Sequence, residues 1–146
     1  MKTLYSVIVY LCTVSMAFCQ VKKTTTVHRP VKSKSQLYIA IRAGKIIYTQ
    51  NCVSCHQVDG GGVQNMNPTL IKTSYVLGEK KRIIGIVLNG FEHEDIDGDS
   101  YQNVMPSFNY LTDKQIANVL TYVRNSFGNK ASRVTINEVK NTRVKK

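Results

Sequence analysis

One C-x-x-C-H pattern, made by Cys52, Cys55 and His56, constrains this chain of 146 residues more than any other feature. Two thiols one short turn apart can form thioethers with the two vinyl groups of one porphyrin, and the imidazole on the next residue can bind iron from the same side. A thioredoxin-like redox pair, half of a zinc site and a disulfide also use C-x-x-C, but none of them needs the following His. The pattern therefore predicts one covalently attached haem c and its iron.

Residues 1–19 have the pattern of a cleaved signal peptide, with a positively charged start, an apolar run over residues 4–16 and a short exit segment. The apolar run is too short to span a bilayer. Lipid attachment at Cys19 is the alternative, which the bulky Phe18 before it disfavours. We expect a periplasmic protein, because bacteria attach c-type haem outside the cytoplasmic membrane, with a mature chain of residues 20–146.

The positive charge of the chain lies in its two tails. A basic linker over residues 20–35 has five basic residues and no acid, residues 130–146 have six basic residues and one acid, and residues 36–129 have eight of each. Two interpretations stay open: solvated tails, or tails that steer the protein toward an acidic partner or an anionic membrane surface. We expect no nucleic-acid partner, because export removes the protein from nucleic acid and no aromatic-plus-basic recognition motif is present.

Hydrophobic periodicity predicts four helices. The first is capped by Ser33 or Ser35 and leads to Cys52, and the third begins at a capping box formed by Thr112 and Gln115. A second capping box precedes a short last helix. The predicted helices cover residues 36–51, 79–89, 112–127 and 134–139.

Residues of the first and third helices resemble those of the class I cytochrome c family, in its small bacterial monohaem form. The matching residues are Gly44 and Tyr48 in the first helix and Val119 and Tyr122 in the third. The resemblance implies an all-α cytochrome c fold over residues 36–129, in which the N- and C-terminal helices cross at Gly44 around the haem. Gly inside a helix costs about 1 kcal/mol relative to Ala, so its presence separately suggests a close approach of two backbones.

The resemblance also assigns residues to both sides of the haem. In that family a Pro carbonyl accepts the proton of the second imidazole nitrogen and a Leu packs on the ring, and the matching residues here are Pro68 and Leu70. Met105 stands where the family has its axial Met, so the implied iron ligands are His56 and Met105. His93 is a rival ligand, and a buried core Met is the other interpretation of Met105.

The segment before Met105, residues 92–101, contains five of the nine acidic residues. Its Asp97-Gly98 pair predicts a tight turn in a small β-hairpin, and similar bacterial cytochromes have such a hairpin before the Met. A calcium loop is the alternative, although Gly comes at the fourth position where an EF-hand needs it at the sixth; its ligands would be Asp95, Asp97 and Asp99. We place Tyr101 and Phe108, on either side of Met105, among the haem contacts.

These features predict an electron carrier. With His56 and Met105 both on the iron, the protein would exchange single electrons with redox partner proteins, such as a dehydrogenase, oxidase or reductase, and as a monomer without substrate chemistry of its own. One alternative is a haem protein with an open iron site, either a gas sensor or peroxidase-like. Another is a cytochrome subunit docked to a dehydrogenase, because the extension over residues 130–146 resembles those of cytochromes that accompany periplasmic dehydrogenases.

Overall fold

The computed structural model describes residues 33–92 and 94–144. Within them the protein has six α-helices and no β-strand: α1 Ser33–Asn51, α2 Val53–His56, α3 Ser74–Leu77, α4 Lys80–Asn89, α5 Asp113–Val123 and α6 Ile136–Arg143. None of these helices is both long enough and apolar enough to cross a membrane. Our predictions for the signal peptide, for Cys19, for residues 20–32 of the linker and for His93 fall outside the described residues.

Helix α1 confirms the first predicted helix but begins earlier. It is already helical at Ser33, so the predicted start near residue 36 is wrong, and Ser33 and Ser35 lie within the helix instead of capping it. The physical reason is that residues 33–36 contain no Pro or Gly that would break a helix. The core-facing side agrees with the prediction, because Gly44 and Tyr48 are buried whereas Ile46 on the other side is exposed.

Helix α5 starts as predicted and ends earlier. The Thr112 hydroxyl accepts from the Gln115 backbone N–H at 3.3 Å, and the Gln115 side chain accepts from the Thr112 N–H at 2.9 Å. The predicted end at Phe127 is wrong, because Phe127 has a left-handed backbone with φ 57°. This turn places its ring 5.4 Å from that of Tyr48 and 5.5 Å from that of Tyr122, centroid to centroid.

Helices α1 and α5 cross at Gly44, as predicted. A Cβ at Gly44 would lie 2.0 Å from the carbonyl oxygen of Asn118 and 2.7 Å from the Cβ of Tyr122. Such distances are far below van der Waals contact, so the two backbones can approach this closely only with Gly at this position. The crossing fixes the end of α1, and therefore Cys52, relative to α5.

Residues 130–144 pack on the helical core, and the predicted short last helix is present, over Ile136–Arg143 instead of residues 134–139. Helix α6 begins with a capping box at Thr135, and Val139 on its inner side is fully buried. Two ion pairs attach the helix to α4 and to the start of α5, namely Lys80 with Glu138 at 2.9 Å and Arg143 with Asp113 at 2.8 Å. Residues 130–144 are therefore folded against the core, while the side chains of Lys130, Arg133 and Lys140 are exposed to solvent.

The predicted β-hairpin is reduced to a tight turn. Asp97 and Gly98 have φ values of 55° and 95°, as in a type I′ turn, and the residues that flank them exchange two backbone hydrogen bonds of 2.9 and 3.0 Å. No strands extend this single bridge in the described part of the chain. The reason is that the following backbone bonds elsewhere, as when the Gln102 N–H donates to the Asn65 carbonyl at 3.0 Å.

The acidic residues of this turn bind backbone and hydroxyl groups. The Asp97 carboxylate accepts from the Ser74 N–H at 2.8 Å, and hydrogen bonding by Ser74 lowers the pKa of that carboxyl. The Asp95 carboxylate accepts from the Ser100 hydroxyl. The bond to Ser74 attaches the turn to the start of α3, and the bond to Ser100 lies within the segment around the turn. Among the described residues, no group of three His, Cys, Asp or Glu side chains is arranged to hold a metal ion.

Gly44→Ala should lower the free energy of unfolding by roughly 1–3 kcal/mol, because the added Cβ forces α1 and α5 apart. Gly85→Ala is the matched control, since Gly85 also lies inside a helix and a Cβ there would meet nothing closer than 4.0 Å. The control should gain up to about 1 kcal/mol from its higher helix propensity. Chemical denaturation measures both effects, and equal effects would contradict a tight crossing at Gly44.

Candidate functional site

The C-x-x-C-H residues lie where α1 ends and a single helical turn follows. Cys52 interrupts the helix with φ −122° and ψ −28°, and the His56 N–H closes the next turn by donating to the Cys52 carbonyl at 3.0 Å. Cys52 and Cys55 are free thiols. Because the turn is short, it brings both thiols and the imidazole to the same cavity.

The Cys52 thiol does not have the properties of a redox-active cysteine. Burial, with a smaller contribution from Cys55, raises the pKa of Cys52 to about 11. Thioredoxin-like cysteines need a lowered pKa, because their thiolate is the nucleophile. The redox-pair alternative is therefore disfavoured. The zinc alternative is disfavoured too, since no three His, Cys, Asp or Glu side chains among the described residues are arranged to hold a metal ion.

The imidazole of His56 is buried and held in one orientation. Its Nδ1 lies 2.9 Å from the carbonyl oxygen of Pro68. Since a carbonyl can only accept, Nδ1 carries the proton and Nε2 keeps its lone pair. Burial lowers the pKa of His56, and the hydrogen bond to Pro68 opposes part of that effect. The ring is thus a neutral imidazole with one nitrogen available, which is the form that binds a metal.

A close approach of backbones joins the two partners of this hydrogen bond. Gly62 has φ 69°, and a Cβ there would lie 2.3 Å from the carbonyl oxygen of Asn67 and 2.6 Å from that of Pro68. The Gly62 N–H donates to the His56 carbonyl at 3.0 Å. The loop that carries Pro68 is therefore fixed directly to the turn that carries His56.

Asn129 fixes the far end of the same loop and was missed by sequence reasoning. Its buried side-chain amide donates to the carbonyls of Leu70 at 2.9 Å and Val123 at 2.8 Å, and its oxygen accepts from the Lys72 N–H at 2.8 Å. No local pattern could have identified it, because two of these partners lie 59 and 57 positions away in the chain. Asn129 thus holds the Leu70 backbone against the end of α5.

Met105 is held beside the C-terminal end of α4. Met105 and Phe91 exchange two backbone hydrogen bonds of 2.8 and 3.0 Å. Gly90 has φ 87°, and a Cβ there would lie 2.6 Å from the Met105 carbonyl oxygen, so Gly allows the two segments to approach. The Met105 side chain lines the same cavity as His56.

One cavity of about 370 Å³ brings together all eight residues that the sequence assigns to the haem: Cys52, Cys55, His56, Pro68, Leu70, Tyr101, Met105 and Phe108. Further side chains that sequence reasoning did not assign complete its walls, among them Tyr48, Tyr75, Val76, Ile83, Val87, Phe91, Leu111 and Leu120. The periodicity of α4 and α5 marks several of these as core residues. That periodicity does not distinguish a residue packed on another side chain from one that faces a cavity.

The cavity and its donor groups fit a covalently bound haem. A porphyrin is a large, mainly apolar ring, and the walls of this cavity are mainly apolar. Cys52 and Cys55 supply two free thiols for its vinyl groups, His56 supplies a neutral imidazole with an available nitrogen, and Met105 supplies a thioether. No other described part of the chain combines these groups.

A family model described as cytochrome c matches residues 41–127, which is more than half of the chain. Cytochrome c-552 of Thermus thermophilus is 34% identical over 121 residues, covering 75% of this chain and 80% of that protein. The gluconate 2-dehydrogenase cytochrome c subunit of Pantoea cypripedii is 31% identical over 106 residues, covering 70% of this chain but 24% of that subunit.

The cytochrome c subunit of the quinone alcohol dehydrogenase of Gluconobacter oxydans is 32% identical over 91 residues, covering 61% of this chain and 19% of that subunit. The chain therefore spans most of the length of cytochrome c-552 and about a quarter or less of the dehydrogenase subunits. The family match includes the attachment turn, Gly44 and the whole of α5. The chain belongs to the cytochrome c family of electron-transfer proteins, with covalently bound haem c and its iron as cofactor.

Proposed function

We propose that this chain is an exported, monomeric one-electron carrier. Its haem is attached through Cys52 and Cys55, and its iron is bound by His56 and Met105. The single observation that carries this proposal is the convergence of these four residues on one cavity, with His56 Nδ1 2.9 Å from the Pro68 carbonyl. The haem supplies an iron that cycles between ferric and ferrous. The chain itself performs no substrate chemistry.

The residues around the cavity affect the ligands of the iron, its reduction potential and its exposure to water. The hydrogen bond from His56 to Pro68 makes the imidazole a stronger electron donor and prevents the ring from rotating. The Met105 thioether, as a further ligand of the iron, would favour the ferrous state and raise the reduction potential. The apolar side chains exclude water from the ring, so little solvent has to reorganise when the charge of the iron changes.

The pattern of residues 1–19 supports export to the periplasm with removal of this segment. The protein purified from the periplasmic fraction should have the intact mass of residues 20–146 plus one haem. Retention of residues 1–19 would contradict a cleaved signal peptide, and a lipid mass on Cys19 would favour the lipoprotein alternative. A mass with no haem, or with two, would contradict the proposed attachment at Cys52 and Cys55.

The protein can exchange electrons with redox partner proteins either as a separate carrier or as a docked subunit. Two relatives are named as cytochrome subunits of dehydrogenases, which supports a subunit docked to such an enzyme; cytochrome c-552 is named without one. The basic tails support contact with an acidic protein surface or an anionic membrane. Among the described residues of the C-terminal tail, Arg143 is paired with Asp113, and the exposed Lys130, Arg133 and Lys140 are available for steering.

Met105→Ala should abolish the weak far-red sulfur-to-iron absorption band of the ferric protein, because no thioether then reaches the iron. The ferrous form should bind carbon monoxide readily, since one axial position is open. Met66→Ala is the control: Met66 is exposed and does not line the cavity, so this variant should keep the wild-type spectrum. A wild-type protein that lacks the band or binds carbon monoxide readily would favour the open-site alternative.

Replacing Lys130, Arg133 and Lys140 together by Gln should slow reduction by a purified acidic flavodoxin roughly 2- to 10-fold at low ionic strength, because electrostatic steering is lost. The salt dependence of the rate should also flatten. The control replaces the exposed Arg42, Lys45 and Lys114, which removes the same charge from the balanced middle region. Equal effects of both triple variants, measured by stopped flow, would contradict steering by the C-terminal tail.

A further inference from the structure

Arg143, at the end of α6, binds the chain segment that follows Met105. Its Nη1 donates to the carbonyl of Asn109 at 2.9 Å and its Nη2 donates to that of Leu111 at 2.8 Å. Its Nε donates to the Asp113 carboxylate at 2.8 Å. Arg143 lies beyond residues 41–127, the part of the chain that the family model matches.

The same segment is attached on its other side to α4. The Ser107 hydroxyl donates to the Leu88 carbonyl at 2.6 Å, and the Phe108 N–H donates to the Val87 carbonyl at 2.9 Å. Residues 106–111 contain no helix or strand, so these bonds, those of Arg143 and the 2.9 Å bond from the Tyr110 hydroxyl to the Asn51 side chain hold their path. The segment that follows Met105 is therefore hydrogen-bonded to α4 on one side and to α6 on the other.

Hydrogen bonds of the Arg143 side chain join α6 to this segment. A second cavity, of about 160 Å³, lies beside the guanidinium and is lined by Leu88, Asn89, Asn109, Thr142 and Arg143. Asn109 and Tyr110 are exposed. Without the guanidinium, the two carbonyls would be exposed to water and the segment would lose these bonds to α6.

We propose that Arg143 is a positioning residue for Met105. Its planar fork binds two carbonyls four and six residues after Met105, which limits how far the segment can move away from the cavity. This limit keeps the thioether at the iron. The inference rests on the proposed ligation by Met105, and the experiment below separates the failure of one from the failure of the other.

Two simpler roles of Arg143 make different predictions. If Arg143 only anchored α6, loss of the other anchor, the pair of Lys80 with Glu138 at 2.9 Å, would have the same effect on the haem. If only the positive charge of Arg143 mattered, the Arg143→Lys variant would behave like the wild type. A positioning role requires the fork, because a single ammonium cannot reach both carbonyls and the carboxylate in the same geometry.

The test uses the mature holoprotein and compares Arg143→Ala with Lys80→Ala. We expect both variants to lose thermal stability. We expect only Arg143→Ala to weaken the far-red band. Its ferrous form should bind carbon monoxide about tenfold faster than wild type, because the free energy of a hydrogen bond to a charged group corresponds to a ratio of about that size. The reduction potential should fall in Arg143→Ala and stay unchanged in Lys80→Ala.

Two further variants keep the test decisive if Arg143→Ala does not accumulate. Arg143→Lys should be intermediate in carbon monoxide binding, because it retains the charge and loses the fork. Asp113→Asn removes the ion pair but leaves the bonds to Asn109 and Leu111, so it should keep the wild-type spectrum. Full restoration by Lys would overturn the proposal in favour of a charge effect.

The outcomes separate the two hypotheses. Wild-type protein without the far-red band, or with ready carbon monoxide binding, overturns ligation by Met105 and the role of Arg143 together. Wild-type protein with the band, and Arg143→Ala with an unchanged band, carbon monoxide rate and potential, overturns the role of Arg143 alone. Equal spectral changes in Arg143→Ala and Lys80→Ala show that α6 acts only as a structural support and also overturn it.

Discussion

The close crossing of α1 and α5 at Gly44 is the constraint on which the rest of the structure depends. With the Asn118 carbonyl and the Tyr122 side chain so near the Gly44 backbone, neither helix can slide along the other without a clash or a gap. The crossing therefore sets where α1 delivers Cys52. Because α5 also contributes Val119, Leu120 and Val123 to the cavity, one contact between helices sets the distance from the attachment turn to the opposite wall.

Three of the groups that would hold the haem, the Cys52 thiol, the His56 imidazole and the Met105 thioether, carry no charge. His56 is neutral because burial lowers its pKa and because Nδ1 is occupied by Pro68. Cys52 is neutral because burial raises its pKa, and the thioether of Met105 cannot ionise. Each of these groups lies on a short turn or loop whose backbone is bonded to a neighbouring segment. The site residues thus lie in segments with little regular secondary structure, and hydrogen bonds to neighbouring segments fix their positions.

Sequence reasoning located the site better than it located the ends of the helices. The attachment turn was predictable because its chemistry is local, and Pro68 and Met105 followed from resemblance at fixed distances along the chain. The end of α5 was not predictable, because the ring of Phe127 packs on Tyr48 and Tyr122, which are brought together only by the fold. Asn129 was missed for the same reason, since its side chain binds backbone groups that carry no sequence signature.

The fully buried Val139 shows that the folded domain extends beyond the region that the family model matches. The family match ends at residue 127, yet Val134 and Val139 belong to the same hydrophobic core as Tyr48 and Ile84. A boundary drawn at the end of the match would expose an apolar strip on α4 and α5. If this cytochrome were moved as a module into another protein, it would have to bring its last helix with it.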